Sequence, residues 1–138
     1  LYLNNEYQGV YILMEKINVC AAIITKDNKY FIAKRNKNKH LGGFYEFPGG
    51  KQDVNETLQE TVIREIKEEL DVHVCVGRKL GEEHYKDEKI NVHLHYFFCT
   101  IISGDIVLKE HEDSAWVTKE EFKNYEFAEG DKDIISLL

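Results

Sequence analysis

Two runs of apolar residues stand out along the chain, INVCAAIIT from Ile17 to Thr25 and INVHLHYFFCTII from Ile90 to Ile102. Both are rich in β-branched and aromatic residues and are bounded by polar turns, so each predicts a strand. After the first run, DNK predicts a turn and YFIAKR its antiparallel partner. The next stretch, NKNKHLGGFYEFPGGK, carries Asn, Gly and the single proline of the chain, Pro48, and reads as a long ordered loop of the kind that often holds function. From Thr57 to Leu70 the period changes. Leu58, Val62, Ile63, Ile66 and Leu70 recur at helical spacing. HVCVGRKL then returns to a strand pattern, AWV predicts a short strand, and TKEEF opens a helical segment in which Thr118 and Glu121 match a capping box. The last residues, GDKDIISLL, predict a terminal helix that docks its apolar side. The order is strands, one central helix, strands and a helical end, an α/β (α+β) pattern with no internal repeat.

The polar face of the central helix raises a chemical question. Leu58, Val62, Ile66 and Leu70 form a stripe that must face a core, while Glu65, Glu68 and Glu69, at i, i+3 and i+4, converge on an adjoining face. Like charges at this spacing repel. One reading is a solvated acidic face, in which Glu60 pairs with Arg64 one turn on. The other is a site for a hard divalent cation, for which carboxylate oxygens are the natural ligands. The Gly49-Gly50 pair just before the helix would let a backbone carbonyl approach the same ion.

Composition narrows the setting. With 138 residues and 43% apolar content there is room for one domain and one core. No run is long and apolar enough for a membrane span, and no secretory signal pattern opens the chain, so the cytoplasm is the expected location. Cys20, Cys75 and Cys99 are odd in number, lack CxxC spacing and sit in apolar strand-like runs, which points to reduced core thiols. The formal charge of −7 disfavours a nucleic-acid polymer as partner but does not exclude small phosphates, because a bound cation reverses the local sign. His93 and His95 share a strand face without a third soft ligand, and Trp116 reads as a packing anchor.

The full spacing around the helix carries a resemblance. Gly50, five residues, Glu56, seven residues and then REIKEELDV resemble the Nudix box, G-x5-E-x7-R-E-U-x-E-E-x-G-U with U aliphatic, through Gly50, Glu56, Arg64, Glu65, Ile66, Glu68, Glu69 and Val72. Asp71 stands where the family has glycine, and Asp tolerates the left-handed conformation expected there better than most residues. The segment with Arg35, His40, Glu46, Phe47, Pro48, Gly49, Gly50 and Lys51, together with LKEHEDSAW, is similar to MutT-type enzymes of that family.

The resemblance implies a mixed sheet between helices and a Nudix domain over residues 14–138, preceded by an extra segment, residues 1–13, that reads as a leader or an edge hairpin. It implies Mg2+ or Mn2+ held by Glu65, Glu68, Glu69, the Gly49 carbonyl and Glu110. It also implies hydrolysis of (deoxy)nucleoside triphosphates to monophosphate and pyrophosphate, with 8-oxo-dGTP leading and CTP-type substrates next. Glu65 and Glu110 are both candidate bases, and Arg64 orients the neighbouring glutamates. Arg35 and Lys51 are expected at the phosphates, His40 among the substrate-binding residues, and Phe47, Tyr85 and Asp131 at the nucleobase. The oligomeric state, monomer or homodimer, stays open. Alternatives are an ADP-ribose or nucleotide-sugar pyrophosphatase and a noncatalytic nucleotide-binding module.

Overall fold

The computed structural model describes residues 15–138, so the expected leader or hairpin at residues 1–13 lies outside the described residues. The organising element is strand β1, Lys16–Lys26, whose apolar run alternates between two cores. Cys20, Ala22 and Ile24 point to one face and Ala21 and Ile23 to the other, all 5% exposed or less. A strand covered on both faces needs apolar residues at every position, which is why it shows no polar alternation.

Strand β2, Lys29–Lys34, returns antiparallel to β1 through Asp27 and Asn28. Both turn residues have positive φ, 51° and 61°, as a tight right-twisted hairpin requires. Short strands β3, Tyr45–Glu46, and β4, Gly49–Lys51, lie within the long loop and pair with β2 and β1 respectively. Beyond helix α1, Leu58–Leu70, come β5, His73–Lys86, and β6, Asn91–Ser103. β6 runs parallel to β1 and antiparallel to β5, and β7, Asp113–Val117, pairs with β2. Among the described residues the result is a mixed seven-stranded sheet with the main order β3-β2-β1-β6-β5. β5 is longer than HVCVGRKL predicts, because register shifts near Lys79 let pairing resume past Gly81.

Helix α1 covers one face and buries Val62, Ile66 and Leu70 completely, whereas Ile63 turns outward at 40% exposure. The other face is covered by a 3-10 helix, Lys119–Asn124, through Phe122, by α2, Glu129–Ile135, through Ile134, and by Phe127 in the link between them. Thr57 and Glu60 form a capping box at the start of α1, which removes Glu60 from its expected pairing with Arg64. At the other end Asp71 adopts φ 59°, ψ 33°, the left-handed conformation expected of it. Thr118 and Glu121 form their capping box at the 3-10 helix. Cys20 and Cys99 are the expected core thiols, whereas Cys75 is exposed, because edge strand β5 turns Val74 and Val76 to the core and Cys75 to the uncovered side. Trp116 packs edge-on against Phe31 with ring centroids 5.4 Å apart.

Candidate active site

Where β4 crosses β1, the Gly-Gly pair lets two crowded elements meet. A Cβ on Gly49 would strike the Cys20 backbone carbonyl, and one on Gly50 would strike the Glu65 carboxylate. Side-chain-free backbone therefore brings the loop onto the strand and α1 against the loop.

Arg64 organises the acidic face of α1. Its Nε donates to Glu56 Oε2 at 2.7 Å and Nη2 to Glu56 Oε1 at 3.0 Å, while Nη1 reaches Glu65 at 3.0 Å and Glu68 at 3.2 Å. Nη2 also donates to the Lys51 carbonyl at 3.0 Å, tying the helix to β4. These bonds, with donors from the Asp53 amide and Thr61, hold the Glu56 carboxyl down at about 2. Glu69 has no such guanidinium. Its Oε2 is buried without a hydrogen-bond partner, and burial, then the charges of Glu65 and Glu46, push its pKa up to about 8. Burial also raises Glu65.

Glu69 lines a cavity of about 420 Å3 with Arg35, Phe47, Gly49, Lys51, Glu110 and Asp131. The structure thus brings seven of the sequence-predicted residues together. Glu65 lies just beneath Gly50, and Glu68 is exposed and paired with Arg64. His40 contributes only its carbonyl, which accepts from Arg35 Nε at 2.9 Å. Tyr85 lies elsewhere, half-exposed on β5 and donating its hydroxyl to Asp87 at 3.1 Å, because the strand carries it beyond the cavity. Phe47 is 3% exposed, and its ring packs against Tyr96, Phe122 and Phe127 at centroid distances of 6.1–6.4 Å. The ring expected at the nucleobase thus lines the cavity from within an aromatic cluster.

Asp131 reaches the cavity from α2, on the opposite face of the sheet from α1. Its Oδ2 accepts from the Phe47 amide at 3.2 Å and its Oδ1 from the Tyr96 hydroxyl at 2.6 Å. Burial outweighs both donors and raises the carboxyl to about 6, while burial and then Asp131 push the Tyr96 hydroxyl upward. Sequence reasoning missed Lys39, which pairs with Glu110 at 3.3 Å, and His111, which bonds Glu46 at 2.8 Å. It also gave Glu46 no role beyond a match. The histidine next to Glu110 in LKEHEDSAW was the available signal.

The residues fit a divalent cation on their chemistry. Among the described residues no three acidic or imidazole groups converge on one point as they stand, since Glu65 and Glu68 are turned to Arg64. The buried, unpartnered oxygen of Glu69 is nevertheless the kind of group that a cation satisfies at small desolvation cost.

The NUDIX domain profile matches residues 19–137. The chain belongs to the Nudix family. Relatives in that family include the Escherichia coli CTP pyrophosphohydrolase, 31% identical over 86% of this chain and 87% of that protein. The Buchnera aphidicola 8-oxo-dGTP diphosphatase is 33% identical over 88% of this chain and 92% of its own. The solution structure of the E. coli ORF135 protein superposes with a TM-score of 0.79 at 29% identity, covering 90% of this chain and 89% of that one. A MutT Nudix hydrolase structure from methicillin-resistant Staphylococcus aureus gives 0.74 at 33% identity, over 90% of this chain and 95% of its own. The chain is therefore a Nudix hydrolase, of the class that acts on acid anhydrides.

Proposed function

We propose that this Nudix hydrolase converts (deoxy)nucleoside triphosphates to nucleoside monophosphate and pyrophosphate with Mg2+ or Mn2+. Its leading substrate is 8-oxo-dGTP, and its role is sanitation of the cytoplasmic nucleotide pool, as a monomer or homodimer. One observation carries this reading: a single cavity holds Glu69, with its unpartnered Oε2, from one face of the sheet, the buried Asp131 carboxylate from the other, and Arg35, Lys39 and Lys51. That arrangement suits a ligand with a polyanionic end and a hydrogen-bonding end.

Glu69, Glu65, Glu68, Glu110 and the Gly49 carbonyl would hold the cation, which when bound neutralises phosphate charge and makes the attacked phosphorus more electrophilic. The three basic side chains donate to nonbridging phosphate oxygens. Water attacks the β-phosphorus, and the bond from that atom to the α,β-bridging oxygen breaks. The monophosphate leaves on that oxygen, and the water's proton passes to Glu65 or Glu110. Burial raises Glu65, which favours it as a proton acceptor, whereas Glu110 is the one of the two that lines the cavity. Ionised Asp131 is an acceptor only and reads a donor on the base edge, such as the N7–H of 8-oxoguanine.

The same logic favours a second reading. The 4-amino group of cytosine is also a donor, and the E. coli relative named CTP pyrophosphohydrolase aligns over most of both chains. Initial rates with 8-oxo-dGTP, dGTP, CTP and dCTP, with Mg2+ or with EDTA, separate the two. In 18O-water the label should enter pyrophosphate and leave the monophosphate unlabelled. Absence of pyrophosphate from every triphosphate would overturn the proposal. Preferential cleavage of ADP-ribose would favour the dinucleotide alternative, and tight binding without turnover a noncatalytic module.

A further inference from the structure

We propose that His111 is a positioning residue that aims Arg35 into the cavity by holding Glu46, all three residues lying along the cavity wall. The strand register assembles these three residues from distant parts of the chain. Ala33 of β2 pairs with Glu46 of β3, Arg35 follows β2 directly, and the Glu112 amide donates to the Lys34 carbonyl at 3.1 Å, which sets His111 alongside. Glu46 Oε1 accepts from Arg35 Nη1 at 2.9 Å, and Oε2 meets His111 Nε2 at 2.8 Å. Side-chain exposure falls along the chain from 29% at Arg35 to 16% at Glu46 and 4% at His111. The imidazole is therefore the buried anchor and the guanidinium the open end.

Donor accounting fixes the direction of each bond. A carboxylate only accepts, so His111 Nε2 carries a hydrogen and donates it. His111 Nδ1 is buried with no partner, and a bare nitrogen is tolerated there better than an orphaned N–H, so the hydrogen sits on Nε2. Each Glu46 oxygen thus has one donor. Removing the imidazole leaves Oε2 without one in a largely buried place, and the nearest remedy is a two-pronged grip by Arg35. That movement would break the Arg35 Nε bond to the His40 carbonyl and withdraw the guanidinium from the cavity it lines. Arg35, and with it binding of the triphosphate, is where the effect should be read. The kinetic part rests on the function proposed above.

The test compares His111→Leu, which fills the space without a donor, with His111→Gln, whose amide nitrogen can replace Nε2. With a turned-over triphosphate, His111→Leu should raise KM by about tenfold or more with kcat within about threefold, and His111→Gln should stay within about threefold on both. In an Arg35→Ala background His111→Leu should add little, since the side chain it aims is gone. The Arg35 Nε–H resonance should be slow-exchanging in wild type and His111→Gln and lost in His111→Leu. Equal KM in wild type and His111→Leu, full additivity with Arg35→Ala, or a fall in kcat and Tm with KM unchanged would overturn the proposal. If wild type hydrolyses no triphosphate, the functional reading fails alone. An Arg35 resonance unchanged in His111→Leu then still refutes the positioning role, and its loss supports it. Should His111→Leu fail to fold, the wild-type imidazole 15N shifts decide: a hydrogen on Nε2 with bare Nδ1 supports the arrangement, and the opposite tautomer overturns it.

Discussion

Glu69→Gln tests both the electrostatics and the chemistry of the cavity. In metal-free protein the Glu69 carboxyl titrates near 8, against about 4.3 in an unfolded chain, because its Oε2 is buried without a donor and faces the charges of Glu65 and Glu46. Below about pH 4.3 both states keep the proton, and the group imposes no penalty. Between there and about 8 the unfolded chain releases its proton while the folded one retains it, so stability falls with rising pH and levels off above 8. A window of about three and a half pH units at about 1.4 kcal/mol each puts the ceiling near 5 kcal/mol. Relaxation around a cavity-facing side chain reduces this to about 2–4 kcal/mol, still a large share of a typical 5–15 kcal/mol. Glutamine cannot ionise. Glu69→Gln should therefore match wild type near pH 4.5, flatten the decline, and exceed metal-free wild type at pH 8, as measured by urea unfolding in EDTA from pH 4.5 to 9. Mg2+ should raise the wild-type midpoint at pH 8 and do little for the variant, whose turnover should fall by about 10²-fold or more. Parallel pH profiles, a variant less stable than wild type at pH 8, or near-normal turnover at saturating Mg2+ would refute the reasoning.

Asp131→Ala should lower discrimination among 8-oxo-dGTP, dGTP, CTP and dCTP by about 5- to 150-fold in kcat/KM ratios. Because it also strips the acceptor from the Phe47 amide and the Tyr96 hydroxyl, urea unfolding should show a loss of about 1–3 kcal/mol, and equal loss of all four activities would mark the residue as structural only. Gly50→Ala sets a methyl group against the Glu65 carboxylate, so steady-state kinetics should show a fall of about 10²-fold in turnover with a far smaller change in Tm. Arg64→Ala releases Glu56, whose pKa is held down at about 2. Wild type should lose this contribution as pH falls from about 4.3 toward 2, and the variant, lacking it, should show a shallower acid decline in fluorescence-monitored unfolding.

Much of this molecule was legible locally. The helical stripe of Val62, Ile66 and Leu70, the capping box at Thr118, the Asp27-Asn28 turn and the left-handed Asp71 each depend on residues within a few positions of one another. Periodicity and turn chemistry act over that range, so pattern and structure agree there. The spacing from Gly50 to Val72 was legible for the same reason, since it lies in one loop and one helix. Partners were not. Arg64 had a plausible partner in Glu60 one turn away, but capping claimed that carboxylate, and the fold of the 52–56 loop supplied Glu56 instead. Whether an aromatic faces a ligand or a core depends on what packs on each side of the sheet, which turned Phe47 inward among three rings and carried Tyr85 away from the cavity. Asp131 meets Phe47 across 84 positions and His111 meets Glu46 across 65. Such contacts arise from strand register and from helices closing on opposite faces of one sheet. The one-dimensional pattern could name the carboxylates that a cation would want, but only the tertiary structure decided which of them lines the cavity with a buried oxygen left without a partner.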